Sequence, residues 1–538
     1  MSFYISALWK KIIILMENSI FFRAIDAIIR FFSRLFSGSI FAKLLSEEIH
    51  DEALNKSRIY RWIQSFFHML KKIGEKWFAD PIKHSFVYRI CRKIGQVMGA
   101  WLRDSLFYRL ILRDAFPIQQ DGTFDMNAPF TLLVLLIAAL PFIPTMAAAA
   151  LIAAIFIFVL LKLWLDPDFH VRLDSTGLSI VIYIVVAFFA AFTSFSRMSS
   201  IKIALLTSLF MFTYFLFISL VNTKEKLNII LFALCSSALV TGLVGLYQKL
   251  SGKVDMTWID QELFEGEKLR VFSVFGNPNV YGEYLLLLIP IAIAAACITK
   301  KWIMKLYYLV VSAVLFANLG LTLSRGCYIG IAVAVFIFIL FMEKRLITFF
   351  SIGIFALPFV LPASVIERLA SITNLADSST SYRISIWQAT IRMIKVYWYA
   401  GVGQGIDAYN AVYPYYAFNA VSAPHSHSLY LQVMIETGIF GMLVFLAVLV
   451  CFSKALVPFF YRTKKLSEKI FAAAMMSSVV GFLVQGVFDY VFYNYKVFLM
   501  FFIVLAIGCA FVNIYNGSNG DNTEDWKCIV NQKAQEAS

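Results

Sequence analysis

The sequence predicts an all-α integral membrane protein of about 12 transmembrane helices. Three observations carry that expectation. Of the 538 residues, 60% are hydrophobic, and the mean hydropathy is +0.76. Apolar runs of around 20 residues recur from Ala128 onward, long enough to cross a bilayer as helices. Basic residues gather on alternate connections between those runs, which is the charge bias that orients such a chain.

Residues 1–127 differ from the rest of the chain. Charges and large apolar residues interleave there, as in RIYRWIQSFFHMLKKIGEKWF from Arg58 to Phe78, and no run is long enough to span. Apolar positions at helical spacing with Lys and Arg between them predict helices lying in the membrane interface. A cytoplasmic helical hairpin packed on itself fits the same pattern. Either way the segment is anchoring or regulatory and carries no chemistry. No cleavable signal peptide is expected, because the run around Ile12–Met16 is short and no small-residue cleavage site comes after it.

The membrane domain is expected over 128–514, with spans near 128–143, 145–165, 176–195, 201–222, 227–249, 280–299, 303–323, 326–343, 347–361, 429–453, 468–491 and 496–514. With the N-terminus inside, the cytoplasmic connections carry Lys162 and Arg172, Lys224 and Lys226, Lys300, Lys301 and Lys305, Lys344 and Arg345, then Arg462, Lys464, Lys465 and Lys469. The net charge of +14 therefore belongs to inner loops and anionic lipid contact, and nucleic acid is a poor partner class. The tail at 515–538 is polar and expected to be flexible and cytoplasmic. Seven cysteines are scattered with no CxxC and read as small apolar residues.

Two outward segments are long, 251–279 and 362–428. The second lies between the ninth and tenth spans and is expected to fold on the outer face, since long structureless loops are uncommon. Within it, SSTSYRISIWQATIRMIKVYW reads as an amphipathic helix with Ile384, Trp387, Ile391 and Ile394 on one stripe. Arg383 and Trp387 are four apart and share a face. A glycine-rich turn, Gly401–Gly405, comes next, and then the aromatic stretch YNAVYPYYAF.

The outward side should be poor in cations, yet Arg270, Arg325, Arg383 and Arg392 all fall there. An anion to hold would explain them, because the guanidinium fork grips phosphate oxygens in pairs. Arg325 abuts an uninterrupted apolar span, where a charge is expensive unless paired or liganded. Asp489 stands at the matching end of the eleventh span, placed either to pair with Arg325 or to orient a histidine. His425 and His427 stand just before the tenth span, after Pro424; the other four histidines, His50, His68, His84 and His170, lie far from it in sequence. A histidine there can exchange a proton at the membrane–water boundary. The His-x-His pair suits a metal poorly, since alternate residues share a side only on a strand and no third ligand stands nearby in sequence. Glu436 is out of phase with His427 on a straight helix. Gly438 and Gly441 suit close helix packing.

At these residues the chain resembles the O-antigen ligase and O-antigen polymerase family. The resemblance rests on His427-Ser428, Gly438 and Gly441. It also rests on the NPN element with Asn277 and Asn279, on Ser324-Arg325-Gly326, and on Arg383 with Trp387 ahead of the histidine helix. It covers about Thr176 to Phe511, while the charged N-terminal region is longer than the family pattern suggests. The resemblance implies a GT-C-like glycosyltransferase at the outer face of the bacterial cytoplasmic membrane. It would take a glycan from undecaprenyl diphosphate and pass it to a lipid A-core sugar or another glycan, with no nucleotide, cofactor or metal. His427 and Arg325 would be catalytic. Arg270, Arg383, Arg392, Asn277, Asn279, His425, Trp387 and Asp489 would bind the substrate and its diphosphate. Trp387 and the tyrosines from Tyr409 to Tyr416 would stack on sugar rings. A transporter of anions or glycans is the competing class; it predicts broken helices in matching halves, and no internal symmetry is visible.

Overall fold

The computed structural model describes residues 57–86, 128–166, 169–252, 270–343, 378–418 and 423–516, with a few isolated positions besides. Every regular element among them is helical: α1 (Arg58–Trp77), α2 (Ala79–His84), α3 (Ala128–Ala139), α4 (Thr145–Leu165), α5 (Ser175–Phe192), α6 (Arg197–Leu220), α7 (Lys224–Ser251), α8 (Pro278–Ile298), α9 (Trp302–Leu321), α10 (Arg325–Met342), α11 (Ser378–Tyr397), α12 (Ile406–Val412), α13 (Leu429–Arg462), α14 (Leu466–Phe488) and α15 (Tyr495–Asn516). A 3₁₀ turn, Tyr413–Tyr415, continues from α12.

Ten helices among the described residues, α4 to α10 and α13 to α15, are long and apolar enough to cross a membrane. The first expected span is the shorter apolar helix α3, 12 residues long. The ninth, 347–361, lies outside the described residues, as do most of 1–127, the stretch 253–269 and the tail.

Polar caps set several helix starts. Asp174 accepts from the Gly177 amide at 2.7 Å to open α5, and Thr223 accepts from Lys226 to open α7. Asn277 opens α8 by accepting from the Asn279 and Val280 amides, with Pro278 at the first helical position. The centre of the bundle is α15 and α8, whose apolar windows are 89% and 83% buried. The α14 helix runs against both α8 and α10. At its crossing with α10, Gly481 meets Gly330 so closely that a Cβ on either would reach the other's carbonyl at 2.8 or 2.7 Å.

The layer formed by α11, α12 and the 3₁₀ turn is built on a break in α13. Gly438 has φ 66° and ψ −168°, which ends one helical piece and starts another. The carbonyls and the amide exposed at this break are claimed by the segment from Trp398 to Gly403. Val402 N–H donates to Ile435 O at 2.7 Å, Gly403 N–H to Glu436 O at 3.2 Å, and Ile439 N–H to Trp398 O at 2.8 Å. Gly405 N–H donates to the Glu436 carboxylate at 3.1 Å. A Cβ on Gly438 would meet Tyr399 O at 2.4 Å, so the signature glycine serves this strapped break rather than the helix packing its spacing suggested. Above the strap, α11, α12 and the 3₁₀ turn enclose a small core of Ile386, Ala389, Met393, Val402, Tyr409 and Tyr413.

At the opposite end, α1 lies against the end of α4. Trp164 Nε1 donates to Leu70 O at 3.2 Å, Lys71 Nζ to Phe169 O at 3.0 Å, and Phe78 stacks on Trp164. Another face of α1 exposes Ile59, Trp62, Phe66, Met69, Ile73 and Trp77 in a continuous helical stripe.

Candidate active site

Asp489 joins the parts of the site. It comes directly after the last residue of α14 and is 8% exposed. Its Oδ1 stands 3.1 Å from His427 Nδ1, and its Oδ2 accepts from Arg383 Nη2 and from Asn279 Nδ2, both at 3.2 Å. Asn279 in turn accepts from Arg270 Nη2 at 2.8 Å, while Arg270 Nε donates to Thr322 O at 2.9 Å. Four segments distant in sequence are thus tied to one carboxylate. Of the two partners open to Asp489 in the sequence, the histidine is the one it orients. Burial opposes ionisation of Asp489, but Arg383, His427 and His425 overcome it and hold the carboxyl well below its ordinary value.

An ionised carboxylate only accepts, so His427 must carry its proton on Nδ1. In the neutral ring Nε2 is then the acceptor, and it lies on the side of the ring away from the Nδ1 contact. The backbone turns sharply here: His427 has φ 49°, a left-handed conformation rare outside glycine. Trp387 holds this turn by donating from Nε1 to His427 O at 3.1 Å. Arg383 and Trp387, one turn apart on α11, therefore grip Asp489 and His427 respectively. The same turn brings the rings of His425 and His427 to 4.3 Å between centroids. His425 Nδ1 accepts from the His427 amide at 3.2 Å. Its ring is buried beside Tyr490 and Tyr493, and burial, with His427 nearby, pushes its pKa down to about 3.

The fold supplies the third metal-ligand type that sequence spacing lacked. One ligand atom each from His425, His427 and Asp489 lies within 4.8 Å of the others. Arg383 shares that carboxylate, however, and a guanidinium so close weakens its attraction for a second cation.

The other expected residues fall in several places. Asn277 is the cap of α8 and positions Asn279. Arg325 opens α10 at the same end of the bundle; its neighbour Gly326 packs on Gln485, one turn before Asp489. Arg392 points away into the outer layer, donating to Tyr416 O at 3.0 Å and lying over the Phe418 ring at 3.7 Å. Tyr409 and Tyr413 are buried and stacked on each other, so neither offers a face to a sugar. Glu436 does not meet His427: it accepts from the Gln432 amide at 2.9 Å and from Gly405, and clamps the break. Gln432 also accepts from the Ser426 amide, which fixes the loop carrying both histidines. Gln404, Gln432 and Tyr493 escape a reading of the sequence because each is an ordinary residue type whose role depends on contacts across the fold.

Chemically, the site sets a histidine paired with a carboxylate beside two buried or half-buried arginines on the same network. A comparison with curated proteins finds no match. The family model described as O-antigen ligase matches residues 310–446, a stretch that includes Arg325, Arg383, Trp387, His425, His427 and Gly438. Arg270, Asn279 and Asp489 lie outside it and reach it through the hydrogen bonds above. The chain is a multi-pass membrane protein whose residues 310–446 are similar to the O-antigen ligase family.

Proposed function

We propose that this protein is an O-antigen ligase-like glycosyltransferase working at the outer face of the cytoplasmic membrane, with undecaprenyl diphosphate-linked glycan as donor. A polymerase of the same family would use the same site with a different acceptor. The observation that carries the reading is the shared carboxylate: Asp489 holds His427 and Arg383 at 3.1 and 3.2 Å, so base and anion grip are set by one group.

The diphosphate lies at Arg270 and Arg383, with Arg325 beside it. These cations stabilise the charge that grows on the leaving group, and such electrostatic stabilisation is commonly the main source of rate enhancement. His427 Nε2 takes the proton from the acceptor hydroxyl, worth roughly 10²–10⁴-fold. The acceptor oxygen bonds to the anomeric carbon while the bond from that carbon to the diphosphate oxygen breaks, its electron pair leaving with undecaprenyl diphosphate. Attack opposite the leaving group inverts the anomeric configuration. Asp489 is a positioning residue that sets the tautomer and direction of His427. The mechanism calls on no metal, nucleotide or other cofactor. Arg392 has no part in it, since its guanidinium packs on Phe418.

The test is a pair of variants in membranes. His427→Ala and Arg325→Ala are each expected to remain folded and inserted while losing glycan transfer. Transfer retained by both would overturn the assignment.

A further inference from the structure

Beside the histidines is a cavity of about 500 Å³ that the chemistry above does not use. Its walls come from the starts of α4, α6 and α15, the turn Gln404–Asp407, and the first piece of α13. His425 is part of the lining, but Arg270, Arg383 and His427 are not. His425 is thus common to the cavity wall and the histidine pair, its ring 4.3 Å from that of His427.

The lining suits a neutral polyol. Gln404 is 5% exposed, and its side-chain Oε1 is buried with no hydrogen-bond partner among the described residues. A buried acceptor without a donor is costly, and a ligand hydroxyl would relieve it. Asp407 adds a carboxylate that accepts hydroxyls, while the Glu436 carboxylate in the same wall is already held by Gln432 and Gly405. Lys496 also lines the cavity and keeps its charge while its Nζ donates to Pro141 O at 2.8 Å, so it balances a carboxylate and leaves the wall suited to a neutral ligand. Tyr493 offers a partly exposed ring 4.6 Å from His425, the flat apolar face on which a sugar ring stacks. The anion-binding groups lie on the Asp489 network, and the hydroxyl-binding groups lie here.

We infer that this cavity is a glycan subsite and that it receives the acceptor sugar, presenting one hydroxyl past His425 to His427. The inference rests on the transferase reading and adds to it where the nucleophile sits. Gln404 and Tyr493 are then specificity residues for the acceptor.

The experiment uses the full chain in lipid nanodiscs, with Gln404→Leu and Tyr493→Ala beside the wild type. Neither substitution removes a hydrogen bond described for the fold. In transfer from the host's lipid diphosphate-linked glycan, the KM for acceptor is expected to rise at least about tenfold in each variant. The KM for donor should stay within about twofold. A rise in donor KM alone would overturn the acceptor assignment and give the cavity to the donor's glycan. No change in either constant would overturn the subsite itself. If the wild type transfers nothing, the functional reading fails separately. The cavity is then tested by saturation-transfer NMR with oligosaccharides released from the host envelope, where binding to wild type that Gln404→Leu weakens supports it and equal binding, or none, overturns it.

Discussion

His427 Nδ1 and Asp489 Oδ1 are 3.1 Å apart, although 62 positions separate them in the chain. The carboxylate is ionised, so it holds the ring with its proton on Nδ1 and its basic nitrogen turned away. Asp489→Asn keeps the shape but lets an amide face Nδ1 in either orientation. Transfer is expected to fall by roughly 10²–10⁴-fold, with Asp489→Glu recovering part of the loss. The measurement is kcat together with its pH profile, which a purely structural role would leave unmoved.

Arg383 and Arg270 are expected to need their planar forks as well as their charge. Arg383 shares Asp489, and Arg270 spends Nε on Thr322 and Nη2 on Asn279. A lysine supplies one point charge and cannot span two partners. Arg383→Lys and Arg270→Lys should each lower kcat/KM for the lipid diphosphate by about 10-fold or more, read from initial rates at varied donor concentration.

The buried His425 makes stability depend on pH. Its folded pKa is pushed down to about 3 from an ordinary 6.5 by burial and His427, with Arg383 adding to this and Asp489 opposing it; the neutral rings of Tyr490 and Tyr493 complete its surroundings. Below about 6.5 the unfolded chain binds a proton that the folded chain refuses. His425 therefore costs nothing above that pH, and stability falls as pH drops from 6.5 toward 3. Melting temperature of the detergent-solubilised protein should fall over this range, and the slope should be shallower in His425→Gln.

Gly438 holds the break in α13 that seats the outer layer. A Cβ there is strained at φ 66° and strikes Tyr399 O at 2.4 Å. Gly438→Ala should destabilise by at least about 1–3 kcal/mol and loosen the strap from Trp398 to Gly405. Denaturant midpoints and protease cleavage within that segment report both effects.

The exposed stripe on α1 is proposed to lie in the inner membrane interface, with Trp62 and Trp77 at headgroup depth. A nitroxide at position 62 or 77 should report lipid depth by electron paramagnetic resonance, and a nitroxide at position 72 should report water. Water at all three positions would favour the helical hairpin packed away from lipid.

Much of this architecture is legible in the sequence because bilayer thickness dictates helix length: ten expected spans recur as helices, most with ends within a few residues, while the tenth runs nine residues further, to Arg462. The meeting of Arg383 and Arg270 with His427 is legible for a different reason: cations at connections expected to face outward break a topological rule and call attention to themselves. The break at Gly438 is not legible. TGIFG reads as a packing motif on a continuous helix, and only the carbonyls taken by Val402 and Gly403 reveal the interruption. Arg392 misleads by the converse route, since its position fits an anion-binding role while its side chain stacks on Phe418. Metal geometry at His425 and His427 is also hidden from residue spacing, because it depends on a left-handed turn and on Asp489 from another helix.

The most direct measurement is release of undecaprenyl diphosphate by purified protein in liposomes, given the lipid-linked glycan and an acceptor, beside His427→Ala. Steady release coupled to glycan transfer is expected in the wild type, with loss of both in the variant, whose fold is verified by its melting curve. Release at the wild-type rate from folded His427→Ala would contradict the assignment of His427 as the base.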